Sequence, residues 1–178
     1  VSEVTAEQFC KIELLLLDVD GVLTDGRIIY TSSGREIKSF HVRDGSALKL
    51  WRQSGKQVAI LSGRASPTVV QRAKELGIDL VIQGAEEKLV ALRRILSETG
   101  LQAEQVCAVG DDLPDLPVLR NCGLGVAVAD AVVELKAVAS YVTTASGGTG
   151  AVRDTIEWLM RGKGSWDAAV AALSDQSL

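Results

Sequence analysis

The sequence predicts an α/β fold: a doubly wound, Rossmann-like parallel sheet with helices on both faces. Three observations carry this. Apolar runs of strand length, at 12–17, 58–61, 80–82, 106–109, 124–128 and 141–143, are separated by segments long enough for helices. Glycines stand where those helices should stop, at Gly77 and Gly100. Polar residues gather directly after several of the strands, the edge where open α/β sheets bind ligands.

Each element follows from local pattern. The run 12–17 reads as a buried first strand. Two short β-rich runs follow, 27–30 and 37–42, joined by the turn-forming Thr31-Ser32-Ser33-Gly34, which predicts a hairpin over about 26–42. Helices are expected over 46–53, 66–76, 86–99, 115–121, 131–139 and 149–161. The tail, about 162–178, reads as either a short helix or a partly disordered segment. The length of 178 residues suits one core, and with no repeat and no linker the expectation is a single domain over 1–178.

Composition narrows the function. A net charge of −4 with dispersed basic residues argues against nucleic acid as a partner. The apolar run after Lys11 is too short for a signal sequence or a membrane span, so no membrane partner is expected. Three cysteines, Cys10, Cys107 and Cys122, have neither metal-ligand nor redox spacing, which fits a reducing cytoplasm. A lone histidine, His41, excludes a multi-histidine metal site.

The chemistry lies at the strand ends. The first strand delivers Asp18 and Asp20, two carboxylates whose crowding is costly unless a cation or proton is shared. The 58–61 strand ends in Ser62-Gly63-Arg64. Lys88 stands in the first turn of a predicted helix. The 106–109 strand ends in Gly110-Asp111-Asp112-Leu113-Pro114-Asp115. Any one of these is an ordinary turn, cap or solvated charge. Together they suit phosphoryl transfer. A carboxylate attacks a dianionic phosphate only where charge is neutralised around it. Asp18 and Asp111 could ligate Mg²⁺, which prefers one or two carboxylates with water and phosphate oxygen. Ser62 and the amides after it could donate to the phosphoryl oxygens, Lys88 could supply positive charge, and Asp20 could serve as acid and then base.

These ordered motifs, beginning with Asp18-Val19-Asp20-Gly21-Val22-Leu23-Thr24, resemble those of the haloacid dehalogenase superfamily. Within it the chain is similar to the 3-deoxy-D-manno-octulosonate 8-phosphate phosphatases. That likeness also takes in Phe40-His41-Val42-Arg43-Asp44-Gly45, Val126–Asp130 and the glycine-rich turn before Arg153. The resemblance implies a Mg²⁺-dependent phosphatase acting on a small anionic sugar phosphate. It makes Asp18 the nucleophile and Asp20 the acid/base, which also lends a carbonyl to the metal. Asp111 becomes the third metal ligand, Ser62, Gly63 and Lys88 the phosphate-binding group, and Asp112 and Asp115 the residues that orient the metal shell. His41, Val42, Arg43, Asp44 and Gly45 match the family's substrate-contact region, as do Lys49, Arg64 and Arg72. Arginine pairs with carboxylates in a fork geometry, so at least one of Arg43, Arg64 and Arg72, or Arg153, is expected to read the carboxylate of a sugar-acid substrate. A phosphatase for nine-carbon ulosonate 9-phosphates would use the same motifs. A phospho-receiver would place its lysine after the last catalytic aspartate, whereas Lys88 precedes Asp111.

The spacing leaves no room for a cap domain: 41 residues separate Asp20 from Ser62, and 25 separate Ser62 from Lys88. An open site would hold its chemistry in bulk water, where charge stabilisation is weak. The expectation is therefore a homo-oligomer in which the hairpin, with apolar Ile28, Ile29, Ile37 and Phe40, closes a neighbour's site. The family resemblance implies a tetramer.

Overall fold

The computed structural model describes residues 4–174. Its centre is β1 (Leu14–Leu17), four leucines with no exposed face. On one side β1 pairs in parallel with β4 (Gln57–Leu61), which pairs with β5 (Leu80–Ile82). On the other it pairs with β6 (Val106–Gly110), followed by β7 (Leu124–Ala127) and β8 (Tyr141–Val142). A central strand of a parallel sheet is covered on both faces, which explains an apolar run without alternation. The sheet order β5-β4-β1-β6-β7-β8 reverses direction between β1 and β6, where a crevice opens at the strands' carboxyl ends.

The covering helices are α2 (Val42–Gln53), α3 (Pro67–Leu76), α4 (Lys88–Thr99) and α7 (Ala151–Gly162), with short α5 (Leu116–Leu119) and α6 (Val133–Lys136). Helices α3 and α4 end on Gly77 and Gly100, both left-handed (φ 67° and 70°), as expected of helix stops. Most predicted elements stand within two residues of their expected bounds, and α5 and α6 are shorter than expected.

Three differences matter. An unpredicted helix, α1 (Ala6–Lys11), precedes the sheet; Thr5 and Gln8 form a reciprocal capping box at its start. The hairpin strands β2 (Ile29–Tyr30) and β3 (Glu36–Ile37) pair over only two residues each, and the strand expected over 37–42 gives way to α2 at Val42. Helix α2 therefore begins before the expected 46. It runs through Gly45, where a side chain would come within 2.4 Å of the Arg72 guanidinium, so this glycine marks close packing rather than a helix stop. Much of the tail is α8 (Trp166–Ser174), the helical alternative; residues 175–178 lie outside the described residues. No described helix is long and apolar enough to cross a membrane.

Candidate active site

The carboxyl ends of β1, β4 and β6 meet at one cavity of about 330 Å³. Asp18 and Asp20 enter it from the loop after β1. Ser62, Gly63 and Arg64 enter from the loop after β4. Lys88 enters from the first turn of α4, and Asp111, Asp112 and Asp115 from the loop after β6. Nine of the predicted residues thus line a single space, although the sequence spreads them over nearly a hundred positions.

Lysine 88 is the electrostatic hinge of the floor. Its ammonium donates to Asp115 Oδ1 at 2.6 Å and sits 3.0 Å from Asp18 Oδ1, with all three side chains buried. Burial alone would lower the lysine's pKa, but the two carboxylates outweigh it and raise it, so the charge is fixed. Asp115 Oδ2 in turn accepts from the amides of Asp111 (3.1 Å) and Asp112 (3.4 Å). With both oxygens engaged, Asp115 shapes the loop that presents Asp111.

One lysine does not balance three acids. Burial, reinforced by the Asp115 charge, pushes Asp18 up to about 6. Burial and the charges of Asp18 and Asp115 push Asp111 up to about 7. Carboxylate oxygens of Asp18, Asp111 and Asp115 all lie within 4.8 Å of one another. Asp115 is committed to Lys88 and the loop amides, which leaves Asp18 and Asp111 as oxygen donors beside its charge. All-oxygen donors with surplus negative charge suit a hard divalent cation, so the pair fits Mg²⁺. The close approach is built on Gly21, where φ is +87° and a Cβ would stand 2.0 Å from Asp111 Oδ2. The glycine-rich turn supports the same loop from behind. Gly148 N donates to Val22 O at 2.9 Å, and a Cβ on Gly147 would overlap Gly21 O.

The side of the cavity formed by the loop after β4 is polar. Ser62 is buried, and its hydroxyl accepts from Arg64 N at 3.3 Å, folding the loop back over the cavity. Arg64 reaches across the mouth, 3.5 Å from Asp20 Oδ2 and bonded to Glu36 on the hairpin.

The remaining predicted residues lie elsewhere in this chain. His41 occupies the N-cap position of α2, and Val42 and Arg43 are exposed beyond it. Asp44 is buried and accepts from Arg153 N at 2.8 Å, which satisfies the start of α7. Gly45 packs on Arg72, whose guanidinium lies over the Phe40 ring and pairs with Glu75. Lys49 lines a separate surface hollow with Arg52 and Lys74. Arg153 lies over the Trp166 ring, 4.9 Å from its centroid. None of these lines the Asp18 cavity. Conversely, sequence reasoning missed Glu36 and Lys38, which bring charge from the hairpin to the cavity's edge: Lys38 contacts Asp20 Oδ1 and lies 3.6 Å from Glu36. The available signal was alternation: Lys38 shares a face with half-buried Phe40, opposite exposed Ile37.

The family model for haloacid dehalogenase-like hydrolases matches residues 79–155. The 3-deoxy-D-manno-octulosonate 8-phosphate phosphatase of Escherichia coli K12 is 45% identical over 159 residues, 89% of this chain and 85% of that protein. The phosphatase of the same name from Moraxella catarrhalis, solved in complex with a magnesium ion, a phosphate ion and a KDO molecule, is 42% identical; the match covers 94% of this chain and 97% of that one, with a TM-score of 0.91. A cobalt-bound phosphatase from Haemophilus influenzae superposes with a TM-score of 0.87 at 40% identity, over 90% of this chain and 94% of the other.

Fold, site and relatives define a phosphoric monoester hydrolase. The chain belongs to the haloacid dehalogenase-like hydrolases, in the family of the 3-deoxy-D-manno-octulosonate 8-phosphate phosphatases.

Proposed function

We propose that this protein hydrolyses 3-deoxy-D-manno-octulosonate 8-phosphate to the free sugar acid and phosphate, with Asp18 as nucleophile and Mg²⁺ as cofactor. The observation that carries the reading is the pairing of Asp18 with Lys88 at 3.0 Å on the floor of a cavity that Asp20 also lines.

In the first step an Asp18 oxygen attacks phosphorus and the bond to the sugar oxygen breaks. Asp20 gives its proton to the departing alkoxide, leaving an aspartyl-phosphate on Asp18. In the second step Asp20 takes a proton from water, the water oxygen attacks phosphorus, and Asp18 leaves with its electron pair as phosphate is released. Lys88 holds Asp18 ionised and oriented, while Ser62 and the Gly63 amide receive the phosphoryl oxygens. Mg²⁺ held by Asp18, Asp111 and the Asp20 carbonyl would supply the positive charge that lets an anion approach an anion. Asp112 and Asp115 orient that ligand set.

The same reading takes the chain as one domain and its working form as a cytoplasmic homotetramer. Ile29 and Ile37 are exposed on the hairpin, and exposed Ile28 stands at the edge of this chain's own cavity, which makes the hairpin an apolar surface beside the site. Packed over a neighbour's cavity, it would exclude water. His41, Val42 and Arg43, with Lys49 and Arg72, would then meet substrate only in the assembly, while buried Asp44 and Gly45 would hold that stretch in place.

A phosphate-release screen over sugar phosphates with Mg²⁺ tests the proposal. The eight-carbon ulosonate phosphate should be the best substrate, and Asp18→Asn should lower its turnover roughly 10⁴-fold or more. Faster turnover of a nine-carbon ulosonate 9-phosphate would move the substrate assignment. Activity surviving Asp18→Asn would end the nucleophile assignment, and a fully active monomer would end the oligomer.

A further inference from the structure

Each of the two acids after β1 has its own lysine. Lys88 holds Asp18, and Lys38, at the foot of the hairpin, holds Asp20. The Lys38 side chain is 2% exposed, and its ion partners among the described residues are Asp20 Oδ1 and Glu36 Oε1. Asp20 is thereby made asymmetric. Oδ1 is engaged by an ammonium, whereas Oδ2 is buried with no hydrogen-bond partner beside Arg64 Nε at 3.5 Å, so it becomes open to substrate when the exposed Arg64 side chain swings aside. A free carboxylate turns readily about its last torsion and presents either oxygen. A charge-assisted hydrogen bond to one oxygen removes that freedom.

We propose that Lys38 is a positioning residue for Asp20: it holds Oδ1 so that Oδ2 is the oxygen that hands a proton to the leaving alkoxide and then takes one from water. The inference rests on the acid/base reading of Asp20 and deepens it. It also ties the proton step to the hairpin, because Lys38 directly follows β3 and shares Glu36 with Arg64. An ion pair that merely anchored the hairpin would affect every substrate alike. A positioning role would not, because only a poor leaving group needs the proton.

The test compares two substrates in the full chain with Mg²⁺. One is an alkyl sugar phosphate, followed by single-turnover phosphate release. The other is p-nitrophenyl phosphate, followed by its single-turnover burst, where the departing phenolate needs no proton. Lys38→Met should shift the ratio of the two rates by about 10²-fold against the alkyl substrate. Lys38→Ala should show the same shift, reversed by ethylammonium and not by sodium chloride at equal ionic strength. An unchanged ratio in either variant, or no rescue by the amine, would overturn the inference. Asp20→Asn separates it from the reading beneath: if that variant keeps alkyl-phosphate turnover, the acid/base assignment itself fails. If Asp20→Asn loses turnover while Lys38→Met keeps the wild-type ratio, only the role of Lys38 fails.

Discussion

The floor of the cavity and its hairpin wall are built on opposite principles. The floor hangs from β1, β4 and β6, strands paired in full register and sealed on both faces. The wall is a ribbon of two-residue strands whose Ile29 and Ile37 side chains are exposed, tied to the cavity by Lys38 and Glu36. Charges on the floor are therefore fixed by packing, and charges on the wall by one another. Such a division suits a site whose chemistry is constant and whose closure depends on another surface.

The largest expected effect tests the floor. Lys88→Met removes the cation between Asp18 and Asp115 and leaves two buried carboxylates facing each other. Loss of a preorganised charge of this kind should lower kcat by about 10²- to 10³-fold. Steady-state kinetics at saturating Mg²⁺ measures it. A loss confined to KM would show that Lys88 only binds substrate.

Next comes the support behind the floor. Gly147→Ala places a methyl group on the Gly21 carbonyl, so the Asp18–Asp20 loop must move. A displacement near 1 Å should cost roughly 10²-fold in kcat, although Gly147 is not among the residues lining the cavity. Wild-type turnover in this variant would mean that the loop tolerates the shift and that the floor is less rigid than its packing implies.

Legibility in the sequence follows the same division. The strand-end residues could be read because buried parallel strands announce themselves as apolar runs and deliver whatever follows them to one edge. The helix stops at Gly77 and Gly100 were readable because left-handed backbone nearly demands glycine. The start of α2 was not, because Gly45 looks like a helix breaker until Arg72, distant in sequence, is seen packed against it. Lys38 was harder to read for a related reason, although alternation placed it on the half-buried face with Phe40. A lysine in a short strand usually points to water, and only the fold of the hairpin back onto Asp20 buries it.

Acidity offers a third test of the floor. The pKa values of Asp18 and Asp111 are raised from 3.8 to about 6 and about 7. Their contribution to stability is complete below the ordinary carboxylate value and is lost as pH rises through those two values. Without metal, the protein should therefore melt lower at about pH 8 than at about pH 5. Mg²⁺ should raise Tm by a few degrees at the higher pH, where both carboxylates are ionised, and hardly at all at the lower, where protons hold the site. Calorimetry with and without chelator measures both. Equal metal stabilisation at the two pH values would show that the carboxylates are not competing for proton and cation.

The smallest effect belongs to the wall. Ile29 is 45% exposed, so Ile29→Ala should change the unfolding free energy of an isolated chain by no more than about 0.5 kcal/mol. Leu15→Ala, in the fully buried β1, should cost about 2–5 kcal/mol. The contrast sharpens if the hairpin covers a neighbour. Ile29→Ala should then leave the denaturant midpoint of the dissociated chain almost unchanged and yet shift the proposed assembly toward smaller species in sedimentation. Because the apolar area it removes is counted once in every subunit, a minor change per chain becomes a measurable change in assembly. If Ile29→Ala instead destabilises the dissociated chain as strongly as Leu15→Ala does, the hairpin packs on its own sheet, and closure of the cavity must come from another element.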